Sequence, residues 1–177
     1  AGLIQIFISP PQFFLFMMKK IFLLLALLMV AVAAANADNI IVNMDSHSNI
    51  SHTRILGVTE GNESIGLVAD LTVEVKSGSG RVFIDTLPLT RIDTQASARL
   101  AKEVACTTLE VDCSNLDFLY VVRSDFVIMG GPSAGAALTA ATMSALQGID
   151  MNHDVFVSAT INPAGSLGSI GGVREKA

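Results

Sequence analysis

Gly130-Gly131-Pro132-Ser133-Ala134-Gly135 is a loop of small residues that runs directly into an apolar, Ala-, Leu- and Met-rich stretch ending at Gln147. The stretch reads as a helix over Ser133–Gln147, and Gly148 stands where a left-handed residue closes one. Ser133 then lies in a first helical turn, where backbone N–H groups lack intrahelical acceptors and the dipole is positive. Such an end stabilises an oxyanion formed beside a serine. Glycines on both sides let a peptide backbone approach. How this loop is read decides the fold.

Three readings compete. The blandest is a glycine-rich turn with a capping serine. Gly131-x-Ser133-x-Gly135 also fits the nucleophile elbow of α/β-hydrolases. That fold requires an acid and then a histidine on a distant later loop. His153, just beyond the same helix, is the only histidine after Ser133, and His47 and His52 come too early.

The third reading brings in Gly171-Gly172-Val173-Arg174-Glu175-Lys176. Together the two loops resemble the proteolytic domain of the Lon family, whose serine sits in Pro-Ser-Ala-Gly and whose lysine follows Gly-Gly-x-x-Glu. Ser133 and Lys176 are 43 positions apart, matching the family arrangement without a gap. Asp154–Ile161 resembles the strand preceding the family's lysine, and Ser158 falls where a threonine helps orient it. The resemblance covers roughly Asp125–Lys176 and is fainter over Gly66–Val104. The Gly-Gly before Pro-Ser resembles archaeal exported Lon-like serine proteases without the ATPase domain.

The resemblance implies one α/β (α+β) domain, a mixed sheet with packed helices, and a Ser-Lys dyad. Ser133 is the expected nucleophile and Lys176 its general base, with Gly131, Pro132 and Ala134 forming the supporting oxyanion loop. A serine hydroxyl needs a base to attack. An ordinary lysine is protonated at neutral pH, and burial lowers its pKa by disfavouring the charge. Taken alone, Lys176 is a solvated lysine, so its role rests on the resemblance. The implied activity is hydrolysis of peptide bonds in polypeptides by a ring-shaped homo-oligomer of six subunits. No metal or other cofactor is expected. The rival within the same fold is a catalytically silent binding or assembly module. It is favoured by one departure: Gly130 occupies the position, three before the serine, that is acidic in many family members. No Gly-x-x-x-x-Gly-Lys-Ser/Thr loop occurs, so no ATP is expected to be used.

Outward from the site, Arg54–Thr59, Ser64–Val75 and Arg81–Thr86 read as strands, with turns at Gly61-Asn62 and Ser77–Gly80 and with Pro88 closing the third. Asp93 is placed to cap a helix burying Ala96, Leu100, Val104 and Ala105 and fading near Cys106. Phe118–Val122, Phe126–Met129 and Val155–Ile161 read as further strands. Gly165–Gly172 is a turn-rich connector.

The 177 residues carry a net charge of −5, which argues against a nucleic-acid partner. Much of the apolar excess lies in the first 37 residues. Lys19-Lys20, the apolar run Ile21–Val32 and Ala35-Asn36-Ala37 make a signal peptide over 17–37. Residues 1–16 are then an upstream, non-native segment, and 38–177 a proteolytic domain cut short at its C-terminus. The expected location is extracytoplasmic. An uncleaved leader would instead hold the chain at a membrane, although Ile21–Ala35 is shorter than the ~20 residues of a span. Outside the cytoplasm Cys106 and Cys113 are disulfide candidates. Their separation of seven demands that the helix end between them; two buried thiols are the alternative. Asn49-Ile50-Ser51 and Asn62-Glu63-Ser64 are weak glycosylation sequons.

Overall fold

A computed structural model describes residues 49–59 and 65–177. The expected leader and upstream segment, the Gly61-Asn62 turn and the Asn62 sequon lie outside the described residues.

Four long strands form one mixed sheet: β1 (Ile50–Val58), β2 (Gly66–Ser77), β3 (Val82–Thr90) and β4 (Leu116–Met129), in the order β1-β2-β4-β3. β1/β2 and β2/β4 are antiparallel, while β3/β4 is parallel, its crossover supplied by helix α1 (Ile92–Thr108). Strand alternation makes one face apolar. Leu67, Ala69, Leu71, Val73 and Val75 of β2 and Leu116, Phe118, Tyr120 and Val122 of β4 are buried on it. Full burial of each such Leu, Val or Phe contributes about 1.5–3 kcal/mol. Helix α1 and helix α2 (Gly135–Gln147) cover that face and pack against each other. The other face is mixed, with exposed Val68, Phe83 and Leu87 among charged residues. Arg54 pairs in register with Asp70, Asp70 with Arg123, and Arg123 bridges to Asp85 at 2.5 Å, so charges alternate across all four strands.

Several expectations need correction. Pro88 does not end β3, which continues to Thr90 through a register shift between Leu87 and Leu89. Among the described residues β3 is an edge strand, where a missing ladder donor is tolerated. Asp93 is not the cap. Arg91 holds that position, and Asp93 lies in the first turn, its Oδ1 accepting from its neighbour Thr94 N–H at 2.8 Å. The buried face of α1 is Thr94, Ser97, Ala98, Ala101, Val104, Ala105 and Cys106, while Ala96 is exposed and Leu100 only half-buried. Small residues line this face because α1 lies against the equally small-sided α2, with Ala137, Ala141 and Ala145 all buried. Phe118–Val122 and Phe126–Met129 belong to one 14-residue strand. The Val155–Ile161 strand shrinks to β5 (Thr160–Ile161), which pairs with β6 (Leu167–Gly168). Residues 155–159 make no ladder.

Gly148 ends α2 in the left-handed conformation (φ 65°, ψ 32°). Cys106 and Cys113 are disulfide-bonded with Cα atoms 6.1 Å apart. Helix α1 stops at Thr108, between them, and Glu110 adopts φ 55° to turn the chain. Asn49 and Ser51 are buried, and the Ser51 hydroxyl accepts from Ser144, so the first sequon is closed within the fold. No helix among the described residues is long and apolar enough to cross a membrane.

Candidate active site

The site is assembled where β4 gives way to α2. Past Met129 the backbone turns at Gly131, whose φ of 115° suits glycine alone. Pro132 opens a 3₁₀ turn, Pro132–Ala134, that leads into α2. Pro suits this first position because it has no N–H to leave unpaired. Ser133 is the middle residue of the turn and half-buried, while Ala134 is buried. The Gly135 N–H donates to Pro132 O. Those of Ser133 and Ala134 belong to the first turn, which has no intrahelical acceptor.

Two later segments close on this turn. The Ala136 N–H donates to Ala159 O at 3.1 Å, tying the strand-like segment before β5 to the head of α2. This brings Ser158 alongside, its hydroxyl 3.5 Å from Ser133 O, a long contact. Lys176 comes from the single-turn helix α3 (Val173–Lys176). Gly172 precedes it at φ 65°, and a Cβ there would lie 2.5 Å from Val58 Cγ2. A Cβ on Gly66, the first residue of β2, would lie 1.7 Å from Glu175 O. The backbone of α3 thus rests directly on the hairpin of β1 and β2, an approach that only glycine permits.

Lys176 Nζ lies 2.9 Å from Ser133 Oγ and 3.4 Å from Ser158 Oγ. All three side chains are half-buried. Burial pushes the Lys176 amine below its ordinary pKa of 10.5, since desolvation penalises the ammonium form. The structure therefore brings together Ser133, Lys176 and Ser158, with Gly131, Pro132 and Ala134 shaping the turn. His153 lies in an exposed turn, where its carbonyl accepts from the Arg54 guanidinium at 2.9 Å. The group facing the Ser133 hydroxyl is an amine, which does not fit the α/β-hydrolase reading. Among the described residues no group of three His, Cys, Asp or Glu side chains could hold a metal.

Sequence reasoning missed Gly66, more than a hundred residues from the lysine it seats, because nothing local marks a strand glycine as a backbone contact. It also missed Arg91. The Arg91 stem fills the space where a side chain at position 130 would go, 2.1 Å from an added Cβ.

Residues 114–177 match the family model of the Lon protease (S16) C-terminal proteolytic domain. A Lon protease of Paraburkholderia phytofirmans is 36% identical over 85 residues, which is 46% of this chain and 10% of that protein. The aligned region thus spans about a tenth of the length of that curated relative.

Proposed function

We propose that this chain, Lon-type over residues 114–177 and so at family level a serine-type peptidase, hydrolyses peptide bonds in polypeptides through a Ser133–Lys176 dyad. The observation that carries the reading is the 2.9 Å approach of Lys176 Nζ to Ser133 Oγ, from two loops 43 residues apart.

The chemistry follows from the groups present. A neutral Lys176 amine accepts the Ser133 proton as Oγ attacks the scissile carbonyl. The resulting ammonium returns that proton to the leaving amine, as a general acid. Partial burial favours the neutral amine needed at the start. Ser158 Oγ, 3.4 Å away, gives Nζ a second polar contact and holds it toward Ser133. The first-turn N–H groups of Ser133 and Ala134 are the donors assigned to the oxyanion. The acyl-enzyme ester is then hydrolysed by water, with Lys176 again as base.

None of the steps above consumes a nucleotide, so the bond cleavage itself is read as independent of ATP. The Lys19-Lys20, apolar run and Ala35-Asn36-Ala37 order supports an extracytoplasmic site of action on exposed polypeptide. Mature protein from the native host should then begin near Asp38. A homo-oligomeric ring is part of the same proposal. It is read out by mass in solution.

The test is cleavage of casein or a fluorogenic peptide by the purified protein. Ser133→Ala and Lys176→Ala should each lower kcat/KM by ~10³-fold or more, and His153→Ala should leave it intact. Lys176→Arg should also be inactive, because a guanidinium does not deprotonate. Wild type without activity on any polypeptide would favour the silent binding module instead.

A further inference from the structure

The stretch from Asn152 to Ala159 carries Ser158 to the nucleophile, and residues 155–159 do so without a ladder among the described residues. Its downstream end is pinned where Ala159 O accepts from the Ala136 N–H. Between the ends, Val157 is half-buried against the core. The upstream end is held by a side chain of the sheet. Asn152 makes a turn there, its Oδ1 accepting from the Asp154 N–H at 2.9 Å and its backbone oxygen from the Val155 N–H at 3.2 Å. The His153 carbonyl of that turn accepts from Arg54 Nη2 at 2.9 Å. The same guanidinium lies over the Phe156 ring, its carbon 4.6 Å from the centroid. Arg54 stands in the middle of β1, in register with Asp70 of β2.

We infer that Arg54 is a positioning residue for the Ser133–Lys176 dyad, acting through the segment that carries Ser158. The inference rests on the peptidase reading above, because it takes those two residues as the reacting pair. Arg54 makes its contacts with His153 and Phe156 and acts on the dyad only through them. An N–H donated to a carbonyl fixes the chain in one direction, and a cation over a ring fixes it in another. Held at positions 153 and 156 together, the segment is set in rotation as well as in place. A planar guanidinium supplies both contacts at once, its face to the ring and its edge to the oxygen. Ser158 is two residues past Phe156, within ~7 Å of chain. Little slack therefore separates the clamp from the Ser158 hydroxyl, which lies 3.4 Å from Lys176 Nζ. Arg54, His153 and Phe156 are all exposed, so losing these contacts bears little on global stability. His153 contributes its carbonyl and not its ring, so His153→Ala leaves the clamp intact.

The experiment reads kcat, KM and the Lys176 titration in Arg54 variants of the full chain. Arg54→Ala should lower kcat by ~10- to 100-fold, the range of a displacement of up to ~1 Å at a reacting group, with KM and melting temperature nearly unchanged. Arg54→Lys keeps a cation and a donor without the planar face, and should restore part of the loss. Arg99→Ala removes an equal charge from an exposed arginine of α1 and should change nothing. Lys176, followed by NMR, should titrate below 10.5 in the wild type and closer to 10.5 in Arg54→Ala, because a displaced Ser158 segment leaves the amine more open to water. Arg54→Ala with wild-type kcat and an unmoved Lys176 titration overturns the inference. A loss of kcat that tracks a fall in melting temperature and is not relieved by Arg54→Lys overturns it too, making Arg54 structural. A Lys176 titration that moves in Arg54→Ala, while the wild type cleaves no polypeptide, would defeat the dyad and leave the clamp standing.

Discussion

The two halves of the site are built on different materials. Ser133 stands at the head of α2, a helix with ten buried residues packed on a sheet whose central strands bury one face. Lys176 and Ser158 stand on the stretch from Ile149 onward, where regular structure amounts to two short strands and one helical turn, and α3 has no buried residue. The first region is held by apolar area. The second has little apolar packing, Met151 and Val157 against the core, and relies on single contacts such as Ala136 N–H to Ala159 O, the seat of α3 on Gly66, and the left-handed Gly172 against Val58. Stability should therefore reside in one region and the geometry of the dyad in the other, so mutations should separate them.

Phe118 is fully buried, and Phe118→Ala should cost about 3–5 kcal/mol of stability. Chemical denaturation would show it, and at temperatures where the variant is still folded the proposed peptide cleavage should keep most of its kcat. The converse test is Gly66→Ala. The added methyl drives against the Glu175 carbonyl, so α3 must move, and a shift of ~1 Å at Lys176 should lower kcat by ~100-fold. The melting temperature should hardly change. A large stability loss with kcat preserved would show that the distinction between the regions is wrong.

The disulfide sharpens the comparison from within the framework. Its small loop, closing a separation of seven, predicts a loss of roughly 2–3 kcal/mol on Cys106→Ser/Cys113→Ser, seen in urea melts. Lower still is Tyr120→Phe. The buried phenol is 2.8 Å from the Thr142 hydroxyl, which itself donates to Leu138 O. Burial pushes the Tyr120 pKa upward. Losing that bond should cost about 1 kcal/mol, with no effect on peptide cleavage.

One pH-dependent effect on stability sits at the start of β4, where Asp117 holds the turn between β2 and β3. Asp117 accepts from the Ser79 and Arg81 N–H groups and from the Arg81 guanidinium, and these bonds hold its pKa below the ordinary 3.8. A depressed carboxylate contributes stability that is present above the unfolded value and is lost as pH falls through the folded one. Asp117→Asn should accordingly lower stability at neutral pH and flatten its decline below about pH 4, as followed by thermal melts across pH. A decline as steep as in wild type would remove Asp117 from the account.

How much was legible follows the same division. The turn at Ser133, helix α2 and its Gly148 stop are local chemistry and could be read directly. The pairing of Ser133 with Lys176 was readable only as a resemblance between two distant loops, because no local rule links residues 43 apart. The phase of α1 was misread because its inner face is Ala, Ser and Thr; apolar periodicity does not register a face chosen for close helix packing. The 155–159 segment looked like a strand because it is apolar and β-branched, yet it docks on the head of α2 and has no ladder partner. Pro88 was read as a stop because the sequence does not reveal which strand lies at the edge.

The central claim is that Lys176, partly desolvated, serves as a base to Ser133. The pH dependence of kcat/KM for a neutral peptide tests it most directly. A lysine acts as a base only when neutral, so activity should rise with pH along a single-proton limb whose midpoint lies below 10.5, the ordinary lysine value. That limb should vanish with the activity in Lys176→Ala. A profile that rises at histidine-like pH and is abolished by His153→Ala, while Lys176→Ala retains it, would contradict the account.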